Sequence, residues 1–293
     1  MRLPDWAQLP APPWGKAPSE RVIEVNEAGF VALTEKITRD RGFRCASYKN
    51  KCLRRRIASR MRAKSSYTFA EYSAMLDADP REYERLMRAL TINVTKFFRN
   101  WETYNTLAKK VIPELWALPA ETLSIWSAGC SSGEEAYSTA VLFHEHAKSL
   151  GELDRLGRVR ILGTDIDEEC LDAASRGLFA EASFAETPAA LREKYFPQAG
   201  ALRTVVPEVK ALVAFDRGDL LQDPAPGRDF HMILCRNVII YFERHAQDKL
   251  FVQFRSCLGP DGVLVLGKVE TLPGAARDWF QPVSSRERIF RKA

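Results

Sequence analysis

The 293-residue sequence contains little histidine and cysteine and has no long apolar run. It has four histidines and six cysteines, and no two cysteines form a Cys-x-x-Cys pair. This pattern is typical neither of a zinc site nor of a disulfide framework, so we expect no metal, and free thiols in a reducing cytoplasm. No stretch reaches the roughly 18 apolar residues that a membrane span needs, and the N-terminus lacks an apolar signal core. We therefore expect neither membrane insertion nor secretion.

Proline and charge are both unevenly distributed. Five of the 16 prolines lie in residues 1–20, which predicts a flexible arm. The net charge of +5 hides a basic segment, because residues 21–100 carry 18 Lys and Arg against 9 Asp and Glu. Such a segment indicates an acidic partner, which could be nucleic acid, anionic lipid or an acidic protein surface.

Apolar spacing divides the remaining chain into a helical part and an α/β part. Residues 21–92 are predicted to form a small helical domain, with two apolar stripes at helical spacing. The stripes are Phe30, Leu33 and Ile37, and then Leu53, Ile57 and Met61. In residues 93–293 strands alternate with helices, which predicts a mostly parallel sheet covered on both faces. The predicted strands are 123–127, 159–164, 212–215, 232–235, 262–267 and an edge strand at 288–291, and the predicted helices are 134–150, 168–176 and 243–257.

A small-residue loop, residues 127–133, joins the first strand to the first helix of this sheet. Dinucleotide enzymes bind pyrophosphate at such a place, but here Glu134 and Glu135 occupy the first helical turn and would repel phosphate. The sulfonium and amino groups of S-adenosylmethionine suit the loop better than NAD does. The alternative is that both glutamates only favour the start of the helix.

Further polar residues follow the other strands. Asp165 ends the second strand, where an acid binds ribose hydroxyls, whereas Asp167 fits a helix N-cap better. Asp219 and Leu220 follow the third strand and could read an adenine edge. Because parallel strands end at one edge of a sheet, we expect these residues to converge there.

Four segments, taken in order and spacing, resemble a known family: 93–99, 127–137, 164–167 and 235–242. They are similar to the chemotaxis-receptor methyltransferases of the CheR type, which transfer methyl from S-adenosylmethionine to glutamate side chains on chemoreceptor helices. The likeness extends over about residues 24–291. It implies a class I methyltransferase fold, Rossmann-like and mostly parallel with an antiparallel edge strand. It also implies a small N-terminal helical domain and a small β-subdomain inserted at about 178–210.

The resemblance also implies the cofactor contacts. Carried over by position, they are Asn93, Thr95, Arg99, Ala128, Glu134, Asp165, Asp167, Asp219, Leu220, Arg236 and Asn237. Which of Asp165 and Asp167 holds the ribose stays open. Two positions depart from the family pattern, since Asp219 stands where Asn is usual and Lys268-Val269-Glu270 stands where His-Ser-Glu is common. Glu270 is given only a structural role.

The chemistry needs positioning more than proton transfer, because a glutamate acceptor is already ionised at pH 7. We expect Arg99 and Tyr241 to position the acceptor carboxylate, with S-adenosylhomocysteine as product and no metal. Arg54, Arg55 and Arg62 are predicted to face outward from a basic helix and to bind the glutamate-rich cytoplasmic helical bundle of a receptor. We also expect a monomer, and a hairpin around Gly200 too short to tether a receptor peptide.

Two alternatives remain at this point. A nucleic-acid methyltransferase could grip its substrate with the basic domain, but Arg236-Asn237-Val238-Ile239 replaces the Asn/Asp-Pro-Pro-aromatic run of the amine-methylating enzymes. Cys235 lacks the flanking proline of a covalent cytosine mechanism. We therefore expect no nucleic-acid partner. The other alternative is an inactive, cofactor-sensing adaptor.

Overall fold

The computed structural model of the protein describes residues 26–293. The arm predicted at 1–20 lies outside the described residues. The chain divides into two compact units, one formed by the described residues up to Ala46 together with Asn50–Leu90, and the other by Ser47–Lys49 together with Thr91–Ala293. The short segment 47–49 therefore lies between two parts of the first unit in the sequence but belongs to the second unit.

The first unit is built from helices. Their bounds are α1 Glu27–Arg41, α2 Asn50–Ala63, α3 Phe69–Ala78 and α4 Pro80–Thr91. Asn26 caps α1 by accepting from the Gly29 N–H, and Thr68 and Glu71 form a reciprocal capping box on α3. Both predicted apolar stripes are buried, which confirms the helical spacing read from the sequence.

A buried ion pair ties three of these helices together. The Glu82 carboxylate on α4 is fully buried and accepts from Arg60 Nε at 3.0 Å and Nη2 at 2.6 Å. It also accepts from the Tyr72 hydroxyl of α3 at 2.9 Å. Burial, together with the neighbouring carboxylate, raises the pKa of Tyr72, so the phenol stays a donor.

The second unit carries a seven-stranded sheet among the described residues. In chain order, the elements of this unit are α5 Trp101–Thr106, a π-helical turn Leu107–Val111, α6 Ile112–Ala117, β1 Leu123–Ala128, α7 Glu134–Leu150, β2 Val159–Asp165, α8 Glu168–Arg176, β3 Leu178–Phe179, α9 Ala189–Tyr195, β4 Gln198–Ala199, β5 Leu202–Thr204, α10 Pro207–Lys210, β6 Val213–Arg217, β7 Phe230–Cys235, α11 Arg244–Cys257, β8 Leu258–Leu266, α12 Ala276–Trp279, β9 Phe280–Ser284 and β10 Ile289–Lys292.

The strand order is β6-β2-β1-β7-β8-β10-β9. The first five strands of this order pair in parallel, whereas β10 pairs antiparallel with both of its neighbours, β8 and β9. The mostly parallel sheet with an antiparallel end agrees with the prediction. The edge assignment was wrong, because β10 is covered by β9, a strand that the sequence did not reveal. β9 contains Pro282, which an edge strand tolerates because its other side needs no ladder donor.

Alternate residues of the central strands pack on opposite faces. Ile125 of β1 and Val265 of β8 belong to a core on the α7 side, whereas Trp126 and Leu264 belong to a core on the α11 side. This alternation explains why the strands read as continuous apolar runs. Strands β3, β5 and β4 form a separate three-stranded sheet within the predicted insertion, and Gly200 occupies its hairpin turn at φ +65°.

We predict that Glu82→Ala destabilises the helical unit by about 3 kcal/mol, because the substitution leaves Arg60 and Tyr72 without their shared acceptor. Urea unfolding followed by circular dichroism measures the loss. Glu84→Ala is the matched control, since Glu84 lies two residues away on the exposed face of α4. Equal losses for the two variants would contradict a structural role for the buried carboxylate.

Candidate active site

The loop after β1 is shaped by two glycines with positive φ. Gly129 has φ +77°, and a Cβ there would lie 2.7 Å from Val238 Cγ2. Gly133 has φ +91°, and a Cβ there would lie 2.8 Å from the Phe215 ring. A side chain at either position would both strain the backbone and displace a neighbour. The loop can therefore approach a ligand closely at the carboxyl edge of the sheet.

Two adjoining cavities open at this edge. We call them the Asp165 cavity, with an empty volume of about 550 Å³, and the Arg99 cavity, with about 430 Å³. Both are walled by Ile92, Gly129, Ser131, Asn237 and Val238. Because they share these walls, a ligand of nucleoside size in one cavity could extend into the other.

Asp165 and Asp167 have different surroundings. The Asp165 carboxylate lines the Asp165 cavity and accepts from the backbone N–H groups of Ser131 at 2.8 Å and Asp167 at 3.0 Å. Burial raises its pKa, and the two N–H donors act in the opposite direction. Each carboxylate oxygen has a second lone pair, so Asp165 can still accept from a ligand hydroxyl.

Asp167 accepts hydrogen bonds from residues next to the site without lining either cavity. One of its oxygens caps α8 by accepting from the Glu169 and Cys170 N–H groups, as the N-cap reading of the sequence predicted. The other accepts from Asn93 Nδ2 at 2.6 Å and from Thr91 Oγ1 at 3.0 Å. Neither Asp167 nor Asn93 is a wall residue of the two cavities. Direct cofactor contact by these two residues stays a prediction, and in the structure they brace the segment that leads to Arg99.

The two glutamates at the start of α7 also differ. Glu134 is not a wall residue of either cavity, and its carboxylate accepts from Ser132 at 2.7 Å and Ser183 at 3.4 Å, so its cofactor contact stays a prediction. Glu135, which is not among the predicted cofactor contacts, lines the Arg99 cavity and accepts from Ser127 Oγ at 2.8 Å. Burial raises the pKa of Glu135, and Arg236 counteracts that shift.

Arg236 connects this carboxylate to the chain around Arg99. Its guanidinium is buried, lies 3.7 Å from Glu135 and donates to the carbonyl of Arg99 at 2.8 Å. It also donates to the side chain of Asn100 at 3.2 Å. Asn100 has φ +61°, in the left-handed region that Asn adopts more readily than most residues with a side chain. Arg236 therefore helps to hold the turn that carries Arg99.

Glu270 holds the other wall of the site. Its buried carboxylate accepts from the backbone N–H groups of Gly267, Asn237, Val238 and Ile240, at distances from 2.6 to 3.3 Å. Burial raises the pKa of Glu270, whereas these donors favour the charged form. The structural role assigned from the sequence is confirmed, and it fixes the turn that leads to Tyr241.

The other predicted site residues divide into wall residues and neighbours. Ala128 is buried at the end of β1, just before the loop, and is not a wall residue. The Asp219 carboxylate shapes its own turn by accepting from the Leu221 N–H and Gln222 Nε2. Those that line at least one cavity are Thr95, Arg99, Asp165, Asp219, Leu220, Arg236, Asn237 and Tyr241.

The basic helix α2 presents a narrower charged face than predicted. Arg55 and Arg62 are exposed. Arg54 is not free in the same way, because its guanidinium pairs with Glu27 at 2.5 Å and stacks 3.7 Å above the Phe30 ring. The apolar stripe predicted the inward face of α2 correctly. It did not reveal that α1 also packs against the side of α2 that carries Arg54.

Two family models match almost all of the described chain. The CheR methyltransferase all-alpha domain matches residues 28–91, and the CheR methyltransferase SAM binding domain matches residues 93–289. The chain belongs to the CheR methyltransferase family. It is therefore an S-adenosylmethionine-dependent methyltransferase by family, and its sheet is the class I methyltransferase fold.

Relatives of known sequence support the same family. The chain is 33% identical to a chemotaxis protein methyltransferase of Listeria innocua, over 84% of this chain and 91% of that protein. It is 34% identical to chemotaxis protein methyltransferase 2 of Pseudomonas aeruginosa, over 84% and 88%. It is 35% identical to an uncharacterized 104.1 kDa protein of Rhodobacter capsulatus over 83% of this chain, but it spans only 25% of that protein.

Solved structures resemble the chain more weakly. A TehB-like SAM-dependent methyltransferase from Corynebacterium glutamicum has a TM-score of 0.37 at 14% identity, covering 64% of this chain and 85% of that one. PKMT2 from Rickettsia typhi, solved in complex with AdoHcy, has a TM-score of 0.35 at 15% identity, covering 60% and 26%. Likenesses this weak indicate nothing about the reaction.

The cavities fit S-adenosylmethionine. Asn237 is a wall residue of both cavities, and its buried Oδ1 has no hydrogen-bond partner within residues 26–293. Gly129 allows backbone to approach a ligand, and Asp165 retains free lone pairs. A buried acceptor without a partner costs free energy unless a ligand satisfies it. In the same described part of the chain, no cluster of three or more His, Cys, Asp or Glu could hold a metal ion, and no helix could span a membrane.

We predict that Glu270→Gln weakens S-adenosylhomocysteine binding about tenfold or more. The amide has one acceptor oxygen instead of two, and its own NH₂ group would face the backbone N–H groups that now donate to Glu270. Titration calorimetry measures the affinity. Asp248→Asn on the exposed face of α11 is the matched control and should bind normally. Normal binding by a folded Glu270→Gln protein would show that the clamp does not shape the cavity.

Proposed function

We propose that the protein transfers methyl groups from S-adenosylmethionine to glutamate carboxylates on the cytoplasmic helices of chemoreceptors. The observation that carries the proposal is the pairing of the two cavities. Asp165 in one cavity would suit the ribose of a nucleoside, and Lys96 and Arg99 in the wall of the other would suit a carboxylate. Tyr241 lines the first cavity beside the shared wall. Relatives described as chemotaxis methyltransferases support the receptor as substrate.

Several residues would hold the cofactor. Asp165 would accept from the ribose hydroxyls, and Leu220 and Ile166 would pack on the base. Asn237 Oδ1 and the loop at Gly129 would face the polar amino-acid end. When bound, the cofactor supplies a methyl group on a positively charged sulfur, which makes it an electrophile.

The protein's part in the reaction is alignment. One oxygen of the acceptor carboxylate would be the nucleophile for this methyl group, and the neutral thioether would be the leaving group. No proton moves, so no general base is needed. Arg99 would hold the second carboxylate oxygen, while Tyr241 would help to exclude water from the reacting groups. Burial raises the pKa of the Cys235 thiol well above its usual range, which disfavours a cysteine nucleophile.

The exposed cations Arg55 and Arg62 on α2 would capture the receptor. Receptor methylation helices are rich in glutamate, and exposed opposite charges speed the encounter between two proteins more than they strengthen the final complex. Arg56 and Arg60 are engaged within their own unit, with the Ala89 carbonyl and Glu82, and are unsuited to this role.

We predict that Arg99→Ala lowers methyl transfer to a receptor cytoplasmic fragment while the protein stays folded. Loss of a charge-assisted contact of ~2–4 kcal/mol corresponds to a roughly 30- to 1000-fold slower rate. Initial rates with radiolabelled cofactor measure the loss, and Arg176→Ala, at the exposed end of α8, is the control. Near-normal turnover by Arg99→Ala would remove Arg99 from the mechanism.

We predict that reversing Arg55 and Arg62 to Glu raises KM for the receptor fragment and reduces its dependence on salt, with cofactor affinity unchanged. The double reversal of Arg81 and Arg85, two exposed residues on α4, makes the same change in net charge and should have a smaller effect. Equal effects of the two pairs would mean that net charge alone steers binding. Competition by RNA at physiological salt would favour a nucleic-acid substrate.

A further inference from the structure

Ser47–Lys49 lies between α1 and α2 in the sequence but belongs to the methyltransferase unit. The segment pairs with the chain that follows β7. Glu243 donates its N–H to the Ser47 carbonyl at 2.8 Å, and Lys49 donates its N–H to the Tyr241 carbonyl at 2.8 Å. Tyr48 and Phe242 form an antiparallel bridge between these two bonds. The segment thus forms an isolated antiparallel bridge along the Tyr241 turn.

Two side chains strengthen this pairing. Lys49 Nζ donates to the Ile240 carbonyl at 2.8 Å. The rings of Tyr48 and Phe242 meet edge to face, with centroids 5.2 Å apart and planes at 81°. The ring of Tyr48 is therefore fixed in place, which lowers the entropy cost of using it as a ligand contact.

Tyr48 is also a wall residue of the Asp165 cavity, together with Tyr241, Phe242 and Leu220. The cavity has acceptors at Asp165 and apolar and aromatic side chains around them, which is the environment that a nucleoside needs. A rigid ring in such a wall can pack against the flat base or the ribose.

We propose that Tyr48 contacts the nucleoside half of the cofactor, and that Ser47 and Lys49 hold it there. The inference rests on the proposed cofactor. A residue that lies between α1 and α2 in the sequence would then help to form the cofactor site. Lys49 is followed directly by Asn50, the first residue of the basic helix α2.

Calorimetric titration of the full-length protein with S-adenosylhomocysteine and with S-adenosylmethionine tests the proposal. We expect Tyr48→Ala to bind both ligands about tenfold more weakly, and by the same factor, because both contain the same nucleoside. Tyr48→Phe keeps the ring and should restore binding to within about threefold of the unsubstituted protein. Lys49→Met should weaken binding by about threefold through loss of one hydrogen bond, and Lys109→Met, an exposed lysine, should not change it.

The outcomes are distinct. Unchanged affinity in a folded Tyr48→Ala protein would overturn the inference, and so would a loss confined to S-adenosylmethionine, since the sulfonium would then be the contact. Failure of the unsubstituted protein to bind either ligand would instead refute the proposed function. If Tyr48→Ala does not fold, hydrogen exchange of the unsubstituted protein decides: saturating S-adenosylhomocysteine should slow the exchange of the Lys49 and Glu243 amides, and unaltered exchange would overturn the inference.

Discussion

The buried carboxylate of Glu270 is the constraint on which the site depends. A carboxylate with little access to water needs several donors, and Glu270 receives four from backbone N–H groups around Asn237–Ile240 and Gly267. Asn237, Val238 and Ile240 follow the end of β7, and Gly267 follows the end of β8, so Glu270 supplies acceptors just beyond the sheet. The carboxylate thus provides the acceptors for these N–H groups, and the N–H groups provide the donors that the buried charge needs. This arrangement sets the position of Asn237, which lines both cavities, and of the chain that continues to Tyr241.

The opposite side of the site depends on a second buried charge. Arg236 follows β7 directly and is held near Glu135, which stands at the start of α7. From that position it donates to the carbonyl of Arg99 and to Asn100. Asp167 fixes the same linker further upstream through Asn93. The polar residues that a methyltransferase needs are therefore positioned largely by other polar residues. Arg236 and Glu135 are themselves wall residues of the Arg99 cavity, whereas Asp167 and Asn93 line neither cavity.

The sequence predicted the central sheet well because its strands are buried on both faces and read as apolar runs between helices. It also predicted that Asp165 and Asp219 would converge, since the parallel strands that they follow end at one edge of the sheet. It failed where a choice depends on neighbouring residues or distant contacts. Glu134 and Glu135 favour the start of α7 equally, and the sequence did not reveal that Glu135 lies near Arg236 in the wall of the Arg99 cavity. Tyr48 carries no local signal at all, because its partner Phe242 lies almost 200 residues away. β9 was missed because Pro282 argues against a strand except at an edge.

The central claim is that the acceptor is a glutamate carboxylate, and the lability of the product tests it most directly. The purified protein is incubated with S-adenosylmethionine labelled in its methyl group and with the cytoplasmic fragment of a chemoreceptor, and the labelled product is then treated with base. A carboxyl methyl ester releases volatile labelled methanol, whereas N-methyl groups do not. The account predicts that the label enters the receptor fragment and becomes volatile in base. Label that stays on the fragment after base treatment, or that enters nucleic acid instead, would contradict it.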